Sequence, residues 1–243
     1  MLTANPAGIP TGGACAFQLP GDLSTPSHAR FLVTTTMCQL GFAPHPVEDA
    51  KLAVSELATN ALTHASSTTA RPELWMWART HPSPELVISI FDIHRDAWPT
   101  IRNGDLLDEH GKGLSIVMAL SVSAGTHPTR SRLNAAPGKC VWFTLGLPSS
   151  WPEAFRGSVR SAPRTAADRL HAALNARGVP TTRHSDDSGV SVLTTGTLNI
   201  WVDRKAFSWR DGQRYTRQPL IDLQETAERV ISHHETHAST TAP

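Results

Sequence analysis

The sequence predicts an α+β chain: a two-layer α/β sandwich followed by a second, small domain of helix, β-meander and helix. Two runs rich in β-branched and aromatic residues, Glu73 to Thr80 and Glu85 to Asp92, flank the breakers of HPSP and read as neighbouring strands. Helical apolar periodicity lies upstream of both, and βα alternation is too sparse for a doubly wound fold. A segment holding three prolines, Leu147 to Pro163, then separates this pattern from the rest.

Taken in order, residues 1 to 13 (MLTANPAGIPTGG) read as a flexible tail, and ACAFQL reads as a strand entering the turn Pro20-Gly21-Asp22. Ser24 to Leu40 carries a helical pattern closed by Gly41 and Pro44, and a second helix starts near Pro46. In that helix Val47, Ala50, Val54, Leu57, Ala58, Ala61 and Leu62 form an apolar stripe, with Glu56 and Asn60 at its border. Gly113 to Ser121 reads as a helix and Lys139 to Leu147 as a last strand, completing a first domain over 14 to 148. Residues 149 to 165 read as a linker. The second domain, 166 to 235, begins with a helix from Ala166 to Arg177 that stops at Gly178 with Pro180 beyond. Short strands at Val190 to Leu193, Leu198 to Val202 and Ala206 to Trp209 follow, then an amphipathic helix from Leu220 to Ser232 and a flexible tail from 236 to 243.

Composition removes several function classes. With 22 basic and 21 acidic residues the net charge is +1, spread as 10 and 11 over residues 1 to 150 and 12 and 10 beyond, so no nucleic-acid footprint is expected. No apolar stretch approaches the roughly 20 residues of a membrane span, and the chain reads as cytoplasmic. Cys15, Cys38 and Cys140 lack zinc-site spacing and the density of a disulfide framework, and read as buried thiols.

The chemistry concentrates in SELATNALTHA, Ser55 to Ala65. Glu56 and Asn60 stand four apart on one helix face, so a carboxylate can orient a water or hydroxyl while a carboxamide holds a hydrated metal ion. In HGKGLSIV, Gly111 and Gly113 flank Lys112 just before a helix, where backbone N–H groups and the helix dipole can face a phosphate. Each feature has an ordinary alternative. The pair can be a solvated helix flank, the glycines a plain turn, Asp92 a strand end and Thr144 a filler of a β position.

In order along the chain, FQLPGD, a helix, EDAKLAVSELATNALTHA, a strand ending at Asp92, GKGLSIV and GKCVWFTL resemble the GHKL ATPases. Within that group the string is most similar to the ATP-binding regulators of high-GC Gram-positive bacteria related to anti-sigma factor serine/threonine kinases. The resemblance covers roughly residues 15 to 148 and implies a Bergerat fold. An Arg-to-Lys ratio of 18 to 4 is compatible with such a genome.

The resemblance also implies roles. Glu56 matches the general base and Asn60 the Mg²⁺ ligand; Asp92 matches the carboxylate that accepts the adenine amino group. Gly111, Lys112, Gly113 and Leu114 match the phosphate-side turn, and Thr144 a hydroxyl near adenine. The implied cofactors are ATP and Mg²⁺. The implied function is γ-phosphoryl transfer to a partner protein by a regulator that sequesters a sigma factor. Expected partners are a sigma factor or an anti-anti-sigma antagonist, and a second copy of the chain. The alternative is an adaptor whose nucleotide site has decayed. In its favour, the chain reads Asp92-Ile93-His94-Arg95-Asp96 where many relatives read DxGxG, so both glycines are missing.

Three further features complete the reading. HHETH, His233 to His237, fails the HExxH zinc template because Ala238 stands where the second histidine belongs, and it reads as part of a solvated tail. His64 and His94 read as lining a nucleotide pocket. Trp75 and Trp77 share one strand face and read as core, with a partner surface as the alternative.

Overall fold

The computed structural model describes residues 5–63, 71–95, 112–151, 161–185, 189–196 and 198–240. Among them are two antiparallel five-stranded sheets, five α-helices and one 3₁₀ helix, a mixed α+β architecture. The first sheet is built from β1 (Ala14–Gln18), β2 (Glu73–Arg79), β3 (Glu85–Asp92), β4 (Ser123–Arg130) and β5 (Pro137–Gly146), in the order β1-β2-β3-β5-β4. Strand alternation sends Leu74, Met76 and Ala78 of β2, Leu86, Ile88 and Ile90 of β3, and Val141, Phe143 and Leu145 of β5 to one face. There they meet α1 (Thr25–Gln39), α2 (Pro44–Thr63) and α3 (Lys112–Leu120) through Ala29, Val33, Val54, Leu57, Ala61 and Val117.

The opposite face is covered as well, which is why every residue of β2 and β3 is buried. Trp75, Trp77, Val87, Phe91 and Cys140 form a second apolar layer there. Its cover comes from the C-terminal part of the chain. That part comprises α4 (Pro163–Asn175), the meander β6 (Thr182–Ser185), β7 (Ser191–Thr195), β8 (Leu198–Val202), β9 (Ala206–Asp211) and β10 (Arg214–Pro219), and α5 (Leu223–Thr240). Leu223, Ala227, Val230 and Ile231 of α5 join Leu170 and Leu174 of α4, with Leu193, Ile200 and Phe207, in a separate core.

The other side of α5 carries acids toward the first sheet. Glu228 is 2% exposed, receives Thr129 at 2.9 Å and Arg132 at 2.5 Å, and also pairs with Arg177. Arg132 lies over Trp75 and Trp77 at 5.1 and 5.3 Å, and Arg177 over Trp75 at 4.9 Å. Glu225 accepts the indole N–H of Trp77 at 3.3 Å and pairs with Arg79 at 3.4 Å. Asp222, just ahead of α5, accepts the backbone N–H groups of Thr80 and His81 at 2.7 and 3.1 Å. The two parts are therefore joined by a buried polar seam.

Several expectations need correction. The first thirteen residues are not all tail: Pro6–Thr11 form the 3₁₀ helix, capped by Asn5 Oδ1 on Ala7 N at 3.0 Å, with Ile9 fully buried. Gly12 ends it at φ +83, where an added Cβ would lie 2.7 Å from the carbonyl oxygen of Ile221. The linker likewise contains an anchor: Trp151 packs edge-on against Phe42 and donates to the Leu40 carbonyl at 3.0 Å. The C-terminal tail is helical through Thr240, because Glu235 is held inward by Arg95 and Arg130. Three strands escaped the sequence reading, β4, β6 and β10, all poor in apolar runs and made strands by their neighbours' ladders. Among the described residues no helix is long and apolar enough to cross a membrane.

Within the seam Glu228 makes an acid-sensitive contribution, opposed by Asp222, whose carboxyl is raised by burial to about 6. Burial alone would raise the Glu228 carboxyl, but the guanidiniums of Arg177 and Arg132, and His127, hold it well below the ordinary 4.5. Below that value the unfolded chain takes up a proton that the native carboxylate refuses, so this contribution falls as pH drops. Urea denaturation across that range should show a shallower acid loss in Glu228→Gln. Glu228→Ala, which leaves two guanidiniums buried without their carboxylate, should cost roughly 3–5 kcal/mol at neutral pH.

Candidate functional site

The candidate site lies on the helix side of the first sheet. In α2 the apolar stripe of Val54, Leu57, Ala58 and Ala61 is buried against the sheet, so the helical period leaves Glu56 and Asn60 half-buried along its border. Glu56 runs into the head of α3. An added Cβ on Gly113 would lie 2.4 Å from Glu56 Oε2 and 3.5 Å from its Cβ, so any larger residue there would push the carboxylate end of Glu56 aside. The position next to Lys112, the first residue of α3, puts the acid at the positive end of a helix.

Asp92 ends β3 with the same parity as Ile88 and Ile90, so its side chain belongs to the helix side. It is buried, and its Oδ1 receives the ammonium of Lys139 and the backbone N–H of His94, at 2.7 and 2.8 Å. Lys139 also donates to the His94 carbonyl. His94 Nε2 is buried with no hydrogen-bond partner among the described residues. Leu114 packs against the core of the helix side.

Thr144 belongs elsewhere. Phe143 and Leu145 enter the helix-side core, so the pleat turns Thr144 to the far side, opposite Val87. There its hydroxyl meets Ser123 Oγ at 2.8 Å, and Ser123 in turn receives Arg79 at 3.1 Å. A residue facing the second domain cannot also line a pocket under α2. Gly111 and His64 lie outside the described residues, and of Lys112 only the backbone is described. Glu56 and Gly113 thus touch, Asn60 stands one helical turn beyond, and Asp92 shares their side of the sheet.

Lys139 was missed by the sequence reading. Its signal was present: counting back by two from Leu145, Phe143 and Val141 puts Lys139 on the face of Asp92, its cross-strand neighbour. No protein-family model matches the chain, and no curated protein matches it significantly. The site is therefore characterised by its own geometry.

That geometry predicts a coupled pair. Gly113→Ala should displace the Glu56 carboxylate and change stability by no more than about 1 kcal/mol, the cost of moving that flexible side chain being set against the helix preference of alanine. In a Glu56→Ala background the same substitution should be more favourable, and a thermal-denaturation double-mutant cycle reads the difference.

Proposed function

We propose that the helix side of the first sheet binds Mg·ATP and that the chain is a regulator of the GHKL type, transferring the γ-phosphoryl to a Ser or Thr of a partner protein. The observation that carries this reading is the contact of Glu56 with Gly113 at the head of α3, on the side of the sheet toward which Asp92 projects. A carboxylate base, a carboxamide one turn on, a helix N-terminus and a buried strand-end aspartate are the parts such chemistry needs. The donor set fits: Asn60 would hold Mg²⁺, which neutralises charge on the phosphates. Among the described residues both contacts of Asp92 fall on Oδ1, and Oδ2 is the oxygen through which adenine would be received. The orphaned Nε2 of His94 offers a further polar contact.

In this scheme Glu56 takes the proton of the acceptor hydroxyl, the hydroxyl oxygen bonds to the γ-phosphorus, and the bond to the bridging oxygen breaks, releasing ADP. The resemblance to anti-sigma factor serine/threonine kinases suggests a sigma factor or its antagonist as partner. A second reading has its own support. The ion pair between Lys139 and Asp92 already satisfies part of the adenine-selecting carboxylate, which suits an adaptor acting through protein association alone.

Titration with a fluorescent ATP analogue, with and without Mg²⁺, separates the two. The kinase reading expects saturable binding, tightened by Mg²⁺ in the parent and not in Asn60→Ala. Asp92→Asn, checked for native circular dichroism, should weaken binding by about 5- to 150-fold, equivalent to about 1–3 kcal/mol. Glu56→Ala should keep binding while phosphoryl transfer drops by roughly 10²–10⁴-fold. No saturable binding at millimolar ATP leaves the adaptor.

A further inference from the structure

The sheet face turned away from the candidate nucleotide site borders a cavity of about 470 Å³, closed on its far side by β9, β10 and α5. Trp77, Trp142 and Trp209 contribute to its walls, and so do Asp211, His233 and His237. One ligand atom from each of these last three lies within 4.8 Å of the other two.

We propose that Asp211, His233 and His237 form a binding site for one divalent transition-metal ion of the zinc class. Two histidines four apart on α5 share a helix face, and their rings already lie together, 4.0 Å between centroids and 29° between planes. The carboxylate arrives from another element, the end of β9, with Asp211 Oδ1 3.4 Å from His233 Nε2. That separation is close to the roughly 3.3–3.4 Å edge of a tetrahedron whose ligands stand about 2.0–2.1 Å from a zinc ion. The Nδ1 of His237 is 2.8 Å from the carbonyl oxygen of His233. Donation to that carbonyl fixes the proton on Nδ1 and gives Nε2 the lone pair, the arrangement that orients metal-binding imidazoles.

Two imidazoles and one carboxylate favour zinc-like ions over magnesium or calcium, which take oxygen-rich sets. Of the arginines that line the same cavity, Arg79 and Arg229 are paired with Glu225 at 3.4 and 3.1 Å, and Arg214 is the cross-strand neighbour of Asp211. Three protein ligands leave a fourth position for water or a small anion from the cavity, so the site is of the open kind.

The HExxH pattern confines its two histidines to one helix, whereas here the third group comes from a hairpin distant in sequence. His233 and His237 belong to a helix rather than a tail, although His237 is exposed to solvent.

The test is a Co²⁺ titration of the full chain after chelator treatment, followed by its visible absorption bands and by displacement with Zn²⁺. One equivalent should bind with the intense bands of low-coordinate Co²⁺, and Zn²⁺ should abolish them. Asp211→Asn, His233→Ala and His237→Ala should each weaken binding by about tenfold or more. His184→Ala, an exposed histidine of β6, should not. Asp211 and His237 are exposed, so those two variants remain informative should His233→Ala fold poorly. Absence of saturable binding, or parental affinity in Asp211→Asn and His237→Ala, overturns the site and leaves adventitious binding by histidines elsewhere.

Discussion

Glu228 is the group on which the arrangement of the two halves depends. A single carboxylate, drawn fully out of water, meets Arg132 from the β4–β5 turn, Arg177 from the end of α4, and Thr129 from β4. Such a cluster gains little over a well-packed apolar contact, but it tolerates few alternatives, because any other docking would leave ions buried without partners. The tryptophan layer supplies the complementary half. Trp75 and Trp77 offer their ring faces to the same guanidiniums, so apolar area and charge are neutralised in one contact.

Because that seam covers one face of the first sheet, the helix side alone is left to carry the Glu56, Asn60 and Asp92 group. The two faces still communicate through covalent alternation. In β3, Phe91 stacks with Trp75 at 5.0 Å toward the second domain, while the adjoining Asp92 points to the other side. In β5, Lys139 and Cys140 divide in the same way, Cys140 lying 3.3 Å from His127 Nε2 and Lys139 holding Asp92. Strand position is therefore shared by a candidate site and an interface, with no loop to decouple them.

Much of this was legible in the residues. The stripe in α2 and the runs of β2 and β3 announce themselves by period, and the helix-side placement of Glu56, Asn60 and Asp92 follows from it. Thr144 shows where alternation was available and not applied: Phe143 and Leu145 already assign it to the far face. Other features were not local enough to read. Ser123–Arg130 contains Gly125 and Pro128 and no apolar run, and is a strand only because β5 offers it a ladder. Ile9 among prolines looked like a tail, since nothing nearby in sequence says that a core awaits it. The contact of Glu56 with Gly113 and the approach of Asp211 to the α5 histidines join distant segments, which no spacing rule encodes.

The position of α5 in the chain has a consequence for biogenesis. Trp75 and Trp77 are synthesised early, yet the acids that cover them, Glu225 and Glu228, lie in the last element described. During translation the first sheet must persist with one broad aromatic face toward water until that helix emerges, a period in which self-association or chaperone capture competes with completion of the native structure.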